Sequence, residues 1–179
     1  WTAMESQVGK IDKSLVNIFD NDSSFEIGEI GVKPFSIPHD AADPVGYSFM
    51  CGDEKVAVAT DIGELKKDLF EAIRGSKTVL LESNHDVNML EIGKYPPQLK
   101  RRIRGKLGHL SNDDAGRAAE FLVRLGTERI ILGHLSEENN YPELARQTVI
   151  CVLNDAGIKC GRDVLLGVAL PQQTVSLCG

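Results

Sequence analysis

Apolar and polar residues alternate through the early part of the chain. FEIGEIGVKPFSIP, residues 25 to 38, places apolar side chains between glycine-bearing turns, the period-two pattern of half-buried strands. GYSFMC and VAVATD, within residues 46 to 61, predict two more strands joined at a tight Gly-Asp turn. The period then becomes helical: ELKKDLFEAIR sets Leu65, Leu69, Phe70 and Ile73 on one side. TVLLES, residues 78 to 83, is an apolar strand that stops abruptly in acid and serine. Further on, Ala115, Ala118, Ala119, Leu122 and Leu125 form a helical stripe whose small side chains predict close packing against a sheet. Ser111, with Asp114 three places on, suits its N-terminal cap, and Gly126 suits its end. RIILGHL predicts a buried strand, Pro142 opens the helix PELARQTVICVLNDAG, and DVLLGVAL and QTVSLC predict closing strands. An antiparallel group of strands followed by alternating strands and helices is the order of an α/β sandwich with mixed sheets and outer helices.

Length and charge narrow this reading. The chain of 179 residues is long enough for one domain with a sizeable core and too short for two large ones. No apolar run approaches the roughly 20 residues that cross a bilayer, and WTAMESQVGK lacks the basic and apolar segments of a secretory signal, so no membrane role and a cytoplasmic location are expected. Cys51, Cys151, Cys160 and Cys178 are scattered without a CxxC pair and read as ordinary thiols. A net charge of −6 disfavours unspecific binding of nucleic acid along a broad face. It leaves room for a local patch, and LKRRIRGK at 99 to 106 has five basic residues in eight, suited either to a solvated helix face or to steering phosphates.

The chemistry gathers where apolar strands end. His39, His85, His109 and His134 each stand beside a short polar cluster, and Asp61 holds the same kind of position in VAVATDIG. A single histidine of this sort is ordinarily a surface or hydrogen-bonded imidazole; the repetition points to a pocket rim. His39, Asp61 and His134 are the right types for zinc or manganese, two imidazoles with one hard carboxylate. A carboxylate can bridge two cations, so Asp61 is the candidate shared ligand, yet three protein ligands cannot fill two coordination shells.

The succession PHDAADPVGYSF, VATDIG, LLESNHD, GHLSNDDAG and ILGHLSEENNYPELA resembles the metallo-β-lactamase-fold hydrolases, and among them the bacterial WalJ/YycJ exonuclease-like branch. The resemblance runs from about residue 10 through nearly the whole chain. It implies His39 as a ligand of the first metal, Asp61 as the bridging aspartate and His134 on the second metal, with His109 at the scissile phosphate or leaving group. It implies two divalent ions, zinc or manganese, metal-assisted phosphodiester hydrolysis and DNA as substrate. His85, Ser136, Asn139 and Asn140 are then candidate substrate or supporting contacts, and Glu82 a candidate to orient a histidine.

The family signature HxHxDH does not occur in this sequence. Family members carry it shortly before a segment like WTAMESQVGKI, so the resemblance implies that residues 1 to 179 are the C-terminal two-thirds of a single domain. Such a piece is expected to be inactive and metal-poor alone, and to expose an apolar sheet face unless the missing N-terminal segment or a second chain covers it. Alternatives from other classes are a small-molecule ester or cyclic-nucleotide hydrolase of the same fold and a non-catalytic α/β interaction module.

Overall fold

A computed structural model describes residues 5–21 and 23–177, so the expectation for Cys178 and the first four residues lie outside the described part. After a short helix α1 (Glu5–Val8) come strands β1 (Phe25–Ile27), β2 (Ile30–Ser36), β3 (Val45–Cys51) and β4 (Glu54–Ala59). Each is antiparallel to the one before it. Gly28 and Gly52, at φ 60° and 56°, supply the positive φ that two-residue hairpin turns demand. Helix α2 (Lys67–Ile73) leads to β5 (Thr78–Glu82), then α3 (Val87–Ile92), α4 (Pro97–Ile103) and α5 (Asn112–Arg124) lead to β6 (Arg129–Gly133), and α6 (Pro142–Asp155) to β7 (Leu165–Val168). From β4 onward the pairing is parallel, which gives one mixed seven-stranded sheet with its strands in sequence order.

The two faces of this sheet differ. Ala57, Ala59, Val79, Leu81, Ile130 and Leu132 point one way and are buried with side chains of α2, α5 and α6. Ser111 caps α5 by accepting a hydrogen bond from the Asp114 amide, and Ala115, Ala118, Ala119 and Leu122 of the expected stripe are fully buried. The tight packing extends to a neighbouring helix as well: a Cβ on Gly116 would come within 2.8 Å of the Val152 side chain of α6. On the opposite face Val58, Leu80 and Ile131 are half-buried, Val56 is 39% exposed and Ile27 65%. Phe19 partly covers the N-terminal end of that face, its ring 5.1 Å from Phe25 and 6.2 Å from Tyr47. The α/β class with a mixed sheet and flanking helices holds, and the described strands form one sheet where more than one was expected.

One expected strand is absent among the described residues. QTVSLC contributes only an isolated bridge between Gln173 and Leu170. The chain turns at Pro171 and lays Leu177 against the open side of β7, where a Cβ on Gly167 would meet the leucine at 2.7 Å. Alternating apolar residues there seat a segment on the sheet without a ladder. No helix among the described residues is long and apolar enough to cross a membrane, and Cys51, Cys151 and Cys160 are free thiols.

Candidate metal centre

Parallel strands deliver their carboxyl ends to one edge, the usual place for a ligand site in an open α/β sheet. The register sets Ala59 beside Leu81 and Glu82 beside Gly133, so Asp61, Glu82 and His134 emerge next to one another. Strand β2 runs in the same direction as β4, and His39 follows it to the same edge. Asp61 and His134 have φ of 59° and 56°, the only positive values of non-glycine residues among the described ones. Such backbone costs about 1–3 kcal/mol per residue, and its concentration at two strand ends marks a site where side-chain direction outweighs local comfort.

Glu82 organises the cluster. Its side chain is wholly buried, and both oxygens are occupied. Oε1 accepts from His109 Nδ1 at 2.8 Å and from His134 Nδ1 at 2.7 Å; Oε2 accepts from the amides of Ile62 at 2.7 Å and Leu110 at 3.1 Å. Burial pushes this carboxyl up, but the hydrogen bonds from His109 and His134 outweigh it and hold the group below the usual carboxylate range. The Glu82 hydrogen bond likewise raises His134 above the usual imidazole value. With Nδ1–H committed to the carboxylate, the Nε2 atoms of both rings are turned away from Glu82.

His39 is held differently. Its Nδ1 donates to the Gly108 carbonyl oxygen at 3.1 Å, while Asp40 is clasped through both oxygens by Arg102, with Nη2 at 2.7 Å from Oδ1. The Asp40 amide also bonds to the Leu107 carbonyl oxygen, so the loop after β2 is stapled to the turn after α4. The three rings form an arc, with centroids 5.0 Å apart from His39 to His109 and 5.2 Å from His109 to His134. Asp61 Oδ1 sits centrally, 3.6 Å from His39 Nε2, 3.7 Å from His109 Nδ1 and 3.6 Å from His134 Nδ1.

Asp61, Glu82, His109 and His134 offer ligand-type atoms that lie within 4.8 Å of one another. The mixture of imidazole and carboxylate fits zinc or manganese. Glu82 is the poorest donor of the four because its oxygens already accept four hydrogen bonds, which makes it a support for the histidines. His39 faces Asp61 from the other side and adds a third imidazole.

The sequence-derived candidates fall into two groups. His39, Asp61, His109, His134 and Ser136 line one cleft of about 490 Å³ together with Asn84, Tyr95, Leu99, Arg102 and Glu137. His85, Asn139 and Asn140 are buried. The His85 backbone bridges to Ser111, its Nδ1 has no partner among the described residues, and burial lowers its pKa and favours the neutral ring. Asn140 Nδ2 reaches the carbonyl oxygens of Ser83 at 2.8 Å and Asn84 at 3.1 Å, and Asn112 Oδ1 at 2.9 Å. Asn84 Nδ2 in turn donates to the His134 carbonyl oxygen at 2.9 Å. The asparagines thus form a buried polar bed that fixes the His134 loop. Asn84, Asn112 and Tyr95 had no local signal; only their company in space distinguishes them.

Comparison with known proteins shows the family. Residues 3–135 match the family described as the beta-lactamase superfamily domain. The exodeoxyribonuclease YycJ of Bacillus anthracis is 40% identical over 161 residues, covering 90% of this chain and 61% of the relative. The exodeoxyribonuclease WalJ of Streptococcus pneumoniae serotype 2 is 38% identical over 165 residues, covering 91% of this chain and 61% of the relative. The chain therefore spans less than two-thirds of the length of these curated relatives. Among solved structures, zinc-bound PqqB from Methylobacterium extorquens is similar at TM-score 0.59 and 19% identity, covering 89% of this chain and 55% of that one. The metallo-β-lactamase-fold protein YhfI from Bacillus subtilis gives TM-score 0.57 and 14% identity, covering 84% and 51%. At these identities the structural likeness speaks for the fold.

Proposed function

We propose a function from one premise: the chain belongs to the beta-lactamase superfamily, as a metallo-β-lactamase-fold protein related to the WalJ/YycJ branch. On that premise it carries the C-terminal part of the active centre of a metal-dependent phosphodiester hydrolase that degrades DNA from an end. The observation that carries this reading is the pairing of His109 and His134 on one buried carboxylate, with Asp61 and His39 beside them. Three imidazoles gathered around one partly exposed carboxylate are a ligand-type arrangement.

His39, Asp61 and His134 would hold two divalent cations, zinc or manganese, Asp61 facing both, with further ligands from a segment that completes the site. Bound there, the cations supply Lewis-acid polarisation of the phosphodiester and acidify a water near neutral pH. The chain's own residues do the rest. His109, which lines the cleft and is held through Nδ1 by Glu82, would donate a proton to the departing oxygen. Ser136 sits at the rim as a contact for the substrate backbone. The bare middle of the sheet, with Val56, Val58, Leu80 and Ile131, is the surface on which a second sheet, from an N-terminal segment or another chain, would close.

Metal analysis tests the reading on a form extended to the length of the YycJ and WalJ relatives. About two divalent ions per chain are expected. A stoichiometry near zero overturns the proposal. In that form His109→Ala should lower kcat on linear DNA by roughly 10²- to 10⁴-fold with metal content retained. If the substitution strips the metal instead, His109 is a ligand and the leaving-group role is wrong.

A further inference from the structure

The metal-facing cleft has a second wall, and its chemistry is not that of a ligand set. Tyr95, Leu99, Arg102 and Ile103 come from α4 and the segment just before it, and they line the same cleft as His39, Asp61, His109 and His134. Tyr95 and Leu99 are half-buried, which leaves an aromatic face and an apolar floor open to the cleft. Arg102 spends Nε and Nη2 on Asp40 and keeps Nη1 outside that pair. The guanidinium is therefore fixed in place while part of its fork is available.

The rest of the basic run is committed elsewhere. Lys100, Arg101 and Arg104 line a separate groove of about 310 Å³ on the other side of α4, with Leu90, Glu91 and Pro97. Lys100 Nζ donates to the carbonyl oxygens of Glu91 at 2.7 Å and Gly93 at 2.6 Å, and Arg104 pairs with Glu91 at 2.9 Å. Lys106 pairs with Glu64 at 3.1 Å. The run thus divides, and Arg102 is its member that lines the metal-facing cleft. The rim also carries Glu137 and Glu138, the latter 3.0 Å from Lys94 and so next to the Tyr95 segment. A polyanion crossing this cleft meets the Arg102 guanidinium and an aromatic face, and the Glu138 carboxylate beside them is offset by Lys94.

We propose that Tyr95 and Arg102 form the recognition wall for the nucleotide next to the scissile bond at the end of a DNA strand. The Tyr95 ring stacks on the base, a contact tolerant of sequence because every base offers a π face. Arg102 donates from Nη1 to the neighbouring phosphate, and Asp40 is the positioning residue that holds the fork. The proposal rests on the phosphodiesterase reading and adds to it the residues that select a polynucleotide.

The test is binding of single-stranded hexathymidylate to the chain, followed by fluorescence anisotropy over a range of salt concentrations, with amide spectra to verify folding of each variant. Tyr95→Leu should weaken binding roughly tenfold at an unchanged salt slope, and Tyr95→Phe should restore it. Arg102→Ala should weaken binding roughly tenfold and remove about one phosphate's worth of salt dependence, which Arg102→Lys should keep. Asp40→Asn should weaken binding less than Arg102→Ala with the slope intact. Wild-type affinity in Tyr95→Leu and Arg102→Ala overturns the proposal. So does equal weakening without the split in salt slope, or a chain that does not bind hexathymidylate. The metal stoichiometry of the extended form is independent of all these outcomes, so the two readings fail separately.

Discussion

His109 and His134 lean on a buried carboxylate, whereas His39 bonds to a backbone carbonyl oxygen beside an exposed ion pair. On the inner side Glu82 accepts four hydrogen bonds at zero exposure, two from imidazoles and two from backbone amides. On the outer side Asp40 and Arg102 form a two-pronged pair whose side chains are 32% and 52% exposed. Coulomb attraction across the exposed pair is screened and offset by side-chain entropy, while the buried carboxylate has no alternative partners if one is removed. The support under His109 and His134 is thus built into the fold, while the ion pair beside His39 adds little to stability.

The largest test of this contrast is Glu82→Leu. It strands two buried amides and frees two imidazoles, and should cost about 3–5 kcal/mol in urea unfolding of the metal-free chain. A loss below about 1 kcal/mol would show that the carboxylate is an ordinary ligand free to be dispensed with.

Asn140→Ala should come next, at about 1–3 kcal/mol, because it leaves the carbonyl oxygens of Ser83 and Asn84 and the amide of Asn112 short of partners. The same variant should broaden the backbone amide signals of residues 134 to 136, since the asparagine bed holds that loop. Unchanged signals would confine its role to stability.

A smaller effect is expected with pH. His134 is raised in the folded chain, so its contribution is fully present below the ordinary imidazole value and is lost as pH rises through the folded value. Glu82 is depressed, so its contribution is present above the ordinary carboxylate value and is lost as pH falls through the folded one. Buried His85 acts against His134, because its folded value is lowered and the unfolded chain takes up that proton first. The wild-type melting curve mixes these terms. The difference in Tm between wild type and His134→Ala, measured in chelator, isolates one of them and should grow from about pH 8 to about pH 6. A difference flat across that range would mean that Glu82 does not hold a protonated His134.

Arg102→Ala should be the mildest, within about 1 kcal/mol of wild-type stability. If it unfolds the chain as Glu82→Leu does, the inner and outer sides are equally structural and the contrast between them fails.

Strand and helix identities were legible in the sequence because they are short-range. Alternation marked β2 to β4, Ser111 with Asp114 marked the start of α5, and Gly126 at φ 96° marked its end. The position of histidines and Asp61 just beyond apolar strands was equally local, and it is why His39, Asp61, His109 and His134 were found. QTVSLC misled for the same reason: alternation reports an apolar face seated on something, and here the seat is the surface of β7 rather than a ladder.

The sequence by itself determined which side chains stand at strand ends and which segments have a face to bury. Tertiary structure decided their roles. Glu82 meets His134 across 52 residues and Asp40 meets Arg102 across 62, because parallel pairing of β4, β5 and β6 and the staple between two loops bring them together. The same pairing turned the asparagines of EENN into a buried bed, hid His85 and placed Tyr95 over the cleft. Register between strands distant in sequence is set by the burial of whole faces, and no local pattern of residues encodes which carboxylate a histidine will meet.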